Sequence, residues 1–244
     1  MKLQQILSLT RQAVDDYNMI QEGDHIAVGI SGGKDSLTLL LALHRLQQFY
    51  PKHFTISAIT IDLGYDQTFD LTKVTDLCAS LSIPYVIEET QIAKIIFEER
   101  KEKNPCSLCG KMRKGALNQV ALSLGCNKVA YAHHKNDMIE TMLLSMLFEG
   151  NFYSFPPVTH LDKSELTIIR PLMYVDEADV IGFKNKYNLP VAKSLCPIDG
   201  HTKREYAKNL VKQLNQEHPG AKDRMFHSIL NGNFDDWPSK APHE

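Results

Sequence analysis

Two apolar rhythms alternate along the chain. Runs rich in apolar and β-branched residues, "HIAVGI" at 25–30, "FTISAITID" at 54–62, "PYVIEE" at 84–89 and "KVAYA" at 128–132, are separated by stretches whose apolar positions recur every three or four residues. The continuous runs read as strands buried on both faces, and the 3.6-residue recurrences as amphipathic helices. The first segment sets Leu3, Ile6, Leu7, Ala13, Val14 and Tyr17 near one helical face and ends near Gly23. Helices are also predicted for "SLTLLLALHRLQQFY" up to Pro51, for residues 70–82, for 92–104 up to Pro105, for "KMRKGALNQVALSLG" closing on Gly125, and for "NDMIETMLLSMLFEG" ending at Gly150. A short strand falls in "LTIIRPL", and "DEADVIGFKNKY", "TKREYAKNLVKQLNQ" and "KDRMFHSILNG" are three further helices before a polar tail. This alternation predicts an α/β fold with a doubly wound parallel sheet and a helical C-terminal part. The expected organisation is an N-terminal helix over 1–22, one main domain over 23–215, and a C-terminal helix with its tail over 216–244.

Composition narrows the picture only a little. At 244 residues and 43% hydrophobic content the chain can bury a full core, which excludes a disordered protein. A formal net charge of -2 excludes a uniformly basic coat but leaves room for a local basic stripe. The first twenty residues carry acids and lack a long apolar core, so neither a secretion signal nor a membrane span is expected, and a cytoplasmic location is. In that compartment five cysteines, an odd count, are poor disulfide material; metal or thiol chemistry suits the clustered ones better.

The richest segment is "AVGISGGKDSLTLLLAL" at 27–43, where an apolar strand enters a glycine turn and leaves as an apolar helix. Such a turn gathers backbone N–H groups and the positive helix end around one point, and a phosphate is its natural ligand. A Walker loop needs Ser or Thr directly after Gly-Lys, and Asp35 stands there; the spacing fails the dinucleotide fingerprint as well. Ser31-Gly32-Gly33-Lys34-Asp35-Ser36 instead resembles the SGGxDS signature of the PP-loop ATP pyrophosphatases, which split ATP between its α- and β-phosphates. That resemblance implies pyrophosphate held by the loop amides and the hydroxyls of Ser31 and Ser36, a cation at Lys34, Mg²⁺ near Asp35, and adenosine near Asp62 at the end of "ITID".

Cys106 and Cys109 form a C-x₂-C pair, ambiguous by itself among zinc, iron–sulfur, redox and coincidence. Cys78 and Cys126 lie in apolar patterns and are expected in the core, whereas Cys196 stands in the polar loop "SLCPIDG". In "YAHHKNDMIET" a polar cluster opens a helix right after a strand, at the sheet edge where α/β folds bind ligands. Asn136 or Asp137 could cap that helix with Glu140 returning a bond, and His133 or His134 could touch a nucleotide or substrate. Basic residues follow both cysteine segments: Lys111, Arg113 and Lys114 after the pair, Lys203, Arg204, Lys208 and Lys212 after Cys196. They read either as a surface for a phosphate backbone or as solvated helix faces.

In order along the chain, SGGKDS, "CSLCGKMRKG", "AHHKNDMIET", "IIRPL" and "CPIDGHTKREYAKNL" resemble the tRNA 2-thiocytidine synthetase family and its 2-thiouridine relatives, over about residues 20 to 215. The resemblance implies ATP, Mg²⁺ and a [4Fe-4S] cluster on Cys106, Cys109 and Cys196 with one iron left open, a catalytic role for Asp137 and Arg113 beside Asp35, and His133, with Arg170 as a lesser candidate, as nucleotide contacts. It also implies adenylation of a base carbonyl in tRNA, then sulfur transfer that releases AMP, with a cysteine desulfurase or free sulfide as donor. A homodimer is left open. The chain departs from the family in being short and slightly acidic, without paired zinc fingers. Three alternatives stand beside this reading: a cluster-free persulfide thiolase, a lysidine-type ligase in which an amine attacks the adenylate, and an ATP-binding module without turnover.

Overall fold

A computed structural model describes residues 3–65, 70–101, 105–162, 164–192, 195–197, 203–232 and 237–241. Six strands, β1 (Asp24–Gly29), β2 (Phe54–Asp62), β3 (Tyr85–Glu89), β4 (Lys128–Ala130), β5 (Val158–Leu161) and β6 (Leu166–Ile169), form one sheet in the order β3-β2-β1-β4-β6-β5. All neighbours are parallel except β5, which pairs antiparallel with β6. The helices are α1 (Leu3–Asp16), α2 (Lys34–Leu46), α3 (Thr72–Ser80), α4 (Ile92–Lys94), α5 (Pro105–Ser123), α6 (Lys135–Phe148), α7 (Glu177–Lys186), α8 (Lys203–Glu217) and α9 (Ala221–Leu230).

The period-2 geometry of a strand divides the core in two. Ile26 and Val28 of β1 point into the larger cluster, with Leu37, Leu40 and Leu43 of α2, Met138 of α6 and Phe183 of α7. Ala27 between them points to the opposite face, where Ile59, Val129, Leu117 and Ala121 make the smaller cluster under α5. Burial of both strand faces is why β1 and β4 read as unbroken apolar runs. Ile6, Ala13 and Val14 carry α1 into the larger cluster. Among the described residues no helix is long and apolar enough to cross a membrane.

Successive strands run outward from β1 to β3 and then return to β4 on the other side of β1. Connections therefore leave β1 and β4 in opposite directions at their carboxyl ends and open a crevice there, the usual ligand position of such sheets.

The structure alters three expectations. β5 is an added edge strand, too short and half-exposed to declare itself by alternation. The helix expected over 92–104 is α4 continued by a π-helical turn at Ile95–Glu99, and residues 102–104 lie outside the described residues. The following helix begins at Pro105, not Lys111, and so takes both cysteines into its start. Proline suits a first helical position, where its missing N–H is not needed.

At the amino end of the sheet, opposite the crevice, the buried Asp24 and Lys128 meet at 2.6 Å. Asn127 Nδ2 donates to the other Asp24 oxygen at 2.8 Å, and Lys128 Nζ donates to the Met19 carbonyl at 2.9 Å. Removing one partner leaves the other charge buried and unpaired, so Asp24→Ala should lower unfolding free energy by about 3–5 kcal/mol. Urea denaturation is the measurement, and ATP affinity of the folded fraction should stay at the parent value.

Candidate active site

β1 delivers the chain into the glycine loop at the crevice. Gly32 sits at φ +75, a conformation in which any side chain is strained. The two serines hold the loop closed: Gly33 N–H donates to Ser31 Oγ at 3.3 Å, Ser31 N–H donates to Ser36 Oγ at 3.2 Å, and Ser36 Oγ donates to the Gly33 carbonyl at 2.9 Å. Gly33 is the N-cap of α2 and supplies no capping side chain. The first N–H groups of α2 thus point into the crevice as a preformed anion cradle.

The cradle is one wall of a cleft of about 810 Å³. Ser31, Gly33, Lys34, Asp35 and Ser36 line it from the loop; Asp62 and Tyr65 from the end of β2; Arg113 and Lys114 from α5; His133 and Asp137 from the β4–α6 turn; Cys196 from the loop before α8. The phosphate-loop residues, Asp62, Arg113, His133, Asp137 and Cys196, though spread over 166 positions from 31 to 196, therefore converge. Asp62 spends one carboxylate oxygen on the turn, accepting from Gly64 N–H at 3.0 Å.

Asp35 and Asp137 are linked through His134. Its Nε2 stands 3.5 Å from Asp35 Oδ1 and its Nδ1 lies 3.2 Å from Asp137 Oδ2. The N-cap of α6 is His134, not Asn136 or Asp137: Asp137 N–H donates to His134 Nδ1, and His134 N–H donates to Asp137 Oδ2 at 2.9 Å. Glu140, expected to complete that capping box, instead faces Arg204. One guanidinium nitrogen reaches Asp137 and Glu140, each at 3.2 Å, and the other donates to Thr141 Oγ1. Lys208 of α8 pairs with Glu177 at 2.9 Å, and Glu177 in turn holds Lys34 at 3.2 Å. At Arg204 and Lys208, both still about half exposed, the second basic run pairs with carboxylates of α6 and α7.

Asp35 Oδ1 is buried without a hydrogen-bond partner, although Oδ2 takes Lys34 at 3.0 Å. An orphaned carboxylate oxygen beside an anion cradle suits a divalent cation. His133 stacks on Phe155 with ring centroids 4.4 Å apart, and burial, aided by Arg170, Arg204 and Lys114, holds its pKa well below the ordinary value. It faces the cleft as a neutral imidazole.

Cys106 and Cys109 lie three residues apart on the first turns of α5, which puts both on one helix side. Burial pushes the Cys109 thiol up, with Arg113 opposing the shift and the charges of Cys196 and Cys106 adding to it. Tyr65 makes a hydrogen bond with Cys196. Among the described residues no three His, Cys, Asp or Glu side chains converge on a single-ion site. Three thiols are the donor type that a [4Fe-4S] cluster takes, one sulfur on each of three irons. Cys78 and Cys126 are buried in the core, as their apolar contexts implied.

Sequence reasoning gave Glu140 a capping role and missed Glu177 and the Arg204 clamp, since Arg204 is 64 positions from Glu140. Burial, with the Asp137 charge second, raises Glu140 to about 7 despite Arg204. The folded chain thus binds a proton between about pH 4.5 and 7 that the unfolded chain has released. Stability from this group is present in full below that window and falls as pH rises through it. The difference in urea midpoint between Glu140→Gln and parent should therefore grow in the variant's favour from pH 4.5 to 7 and level off above.

Residues 3–212 match the PP-loop domain family. The tRNA-cytidine(32) 2-sulfurtransferase of Pelobacter propionicus is 42% identical over 223 residues, 90% of this chain and 82% of that protein. Its counterpart in Geobacter metallireducens is 37% identical over 90% of this chain and 86% of that protein. Among solved structures, the U34-tRNA thiolase NcsA from Methanococcus maripaludis with its [4Fe-4S] cluster shares the fold at a TM-score of 0.76 and 23% identity, over 94% of this chain and 80% of that chain. The NH3-dependent NAD synthetase from Campylobacter jejuni shares it at a TM-score of 0.53 and 16% identity, over 96% and 95%. Match length and identity together show that the chain belongs to the PP-loop family and, within it, to the tRNA-cytidine(32) 2-sulfurtransferases.

Proposed function

We propose that the chain is an ATP-dependent tRNA thiolase that exchanges the C2 oxygen of a cytidine, position 32 in the relatives' name, for sulfur. One observation carries this reading: an anion cradle, a buried orphaned carboxylate oxygen, Arg113 and Cys196 all open onto a single cleft. A ring carbonyl oxygen is a very poor leaving group and must first be activated. The C2 oxygen attacks the α-phosphorus of ATP, the bond to the bridging oxygen breaks, and pyrophosphate departs into the loop. N–H groups at the start of α2 and the Lys34 ammonium meet the charge that develops there, and Arg113 faces the same space from α5.

Mg²⁺ at Asp35 would offset phosphate charge and polarise the α-phosphate. Lys34 holds the other Asp35 oxygen, His134 stands between Asp35 and Asp137, and Arg204 ties Asp137 to α8. Cys106, Cys109 and Cys196 would hold a [4Fe-4S] cluster, whose fourth iron offers a position for a sulfur ligand. Hydrosulfide then adds at C2 of the activated base, and the C2–oxygen bond breaks with AMP as the leaving group.

Protein purified without oxygen should contain about four irons per chain and lose them in Cys196→Ala, with ATP affinity retained. Thiolated cytidine in a tRNA transcript, supplied with ATP and sulfide, should vanish with the iron. Full activity in iron-free protein would overturn the cluster and favour a persulfide on one of these thiols; no thiolated nucleoside under any condition would overturn the function. Arg113→Ala should lower kcat by about a hundred-fold with little change in KM for ATP, as expected for a group that acts on transition-state charge.

A further inference from the structure

Lys34 is shared between two carboxylates. Its Nζ stands 3.0 Å from Asp35 Oδ2 and 3.2 Å from Glu177 Oε1, so the ammonium is nearly as close to the second as to the first. Burial works against each charge, yet Asp35 and Glu177 hold the Lys34 pKa up, and Lys208 and Lys34 hold the Glu177 pKa down. Both groups are ionised. An ammonium has three N–H donors, and with two turned to carboxylates the third remains for the cleft that Lys34 lines.

Glu177 stands behind that cleft and does not line it. Its side chain is 12% exposed, and it opens α7, where the helix N-terminus favours a carboxylate. Three neighbours fix its position. Its N–H donates to Asn136 Oδ1 of α6 at 3.0 Å, Lys208 Nζ of α8 donates to its Oε1 at 2.9 Å, and Val180 and Phe183 seat α7 in the larger cluster with Leu37 and Leu40 of α2. The adenylation and sulfur-transfer steps use Lys34 and Asp35 and leave Glu177 without a task.

A divalent cation gives it one. Asp35 Oδ1 is the buried oxygen without a partner, and a metal there adds a second positive centre to a carboxylate that already holds an ammonium on Oδ2. The two repel. With Glu177 already in reach, the lysine leaves Asp35 and stays paired. Without Glu177, Asp35 is the only carboxylate paired with Lys34 among the described residues, and lysine and metal compete for it. We propose that Glu177 is a positioning residue that receives the Lys34 ammonium when a divalent cation occupies Asp35, freeing that carboxylate for the metal and keeping the lysine beside the glycine loop where pyrophosphate departs. The inference rests on the ATP-dependent thiolase reading and adds to it a residue that acts through Lys34 from outside the cleft. Lys208 draws on the same Glu177 oxygen, so α8 opposes the exchange.

Mn²⁺ alone is the probe, titrated onto protein purified without oxygen and followed by the loss of the free-ion EPR signal. The component abolished by Asp35→Asn belongs to this site. Glu177→Gln should weaken that component about ten-fold, and by far less in a Lys34→Met background, the non-additivity of a residue that acts through another. Equal weakening in both backgrounds would make Glu177 a distant charge and overturn the inference, and so would no weakening in either. Lys208→Met, a change at a half-exposed side chain, decides the matter if Glu177→Gln fails to fold. It leaves the Glu177 oxygen to Lys34 and should tighten Mn²⁺; unchanged or weaker binding would overturn the inference. Parent protein with no Asp35-dependent component overturns it as well, while the assay for thiolated cytidine judges the tRNA-thiolase reading separately.

Discussion

An α-helix begins with N–H groups that its own backbone cannot satisfy, and at α2 the N-cap is a glycine that offers no side chain to satisfy them. The rest of the site is arranged around that deficit. Burial of β1 on both faces fixes where the deficit lies, and the serine hydrogen bonds fix the shape of the loop before any phosphate arrives. A preformed cradle has no reorganisation to undergo when charge develops on a departing pyrophosphate.

Carboxylates stand behind the cradle in a relay that reaches the cysteine side. Asp35 leads through His134 to Asp137, and Asp137 through Arg204 to α8; a parallel chain runs from Lys34 through Glu177 to Lys208. These pairs tie the helix following Cys196 to the loop that binds phosphate. The Arg204 and Lys208 ends of these chains are about half exposed and add little to global stability. Their consequence is geometric: the nucleotide half and the thiol half of the cleft are referenced to the same side chains.

The parts legible in the sequence were those with a local cause. Unbroken apolar runs declared β1, β2 and β4, and SGGKDS declared the cradle, because strand burial and loop conformation are encoded within ten residues. Pro105 was misread as a stop because the same ring that ends one element suits the first position of the next. β5 has three half-exposed residues and one exposed, with hardly any pattern to find. The Arg204 clamp and the orphaned Asp35 oxygen arise only when segments far apart meet, and no spacing rule predicts them.

The central claim is that the base oxygen is adenylated in this cleft and leaves as part of AMP. The most direct measurement places ¹⁸O at C2 of the target cytidine, runs one turnover with ATP and sulfide, and weighs the products. The account predicts one ¹⁸O atom in the phosphate of AMP for each thiolated base. AMP without the label, or the label recovered in water, would contradict it.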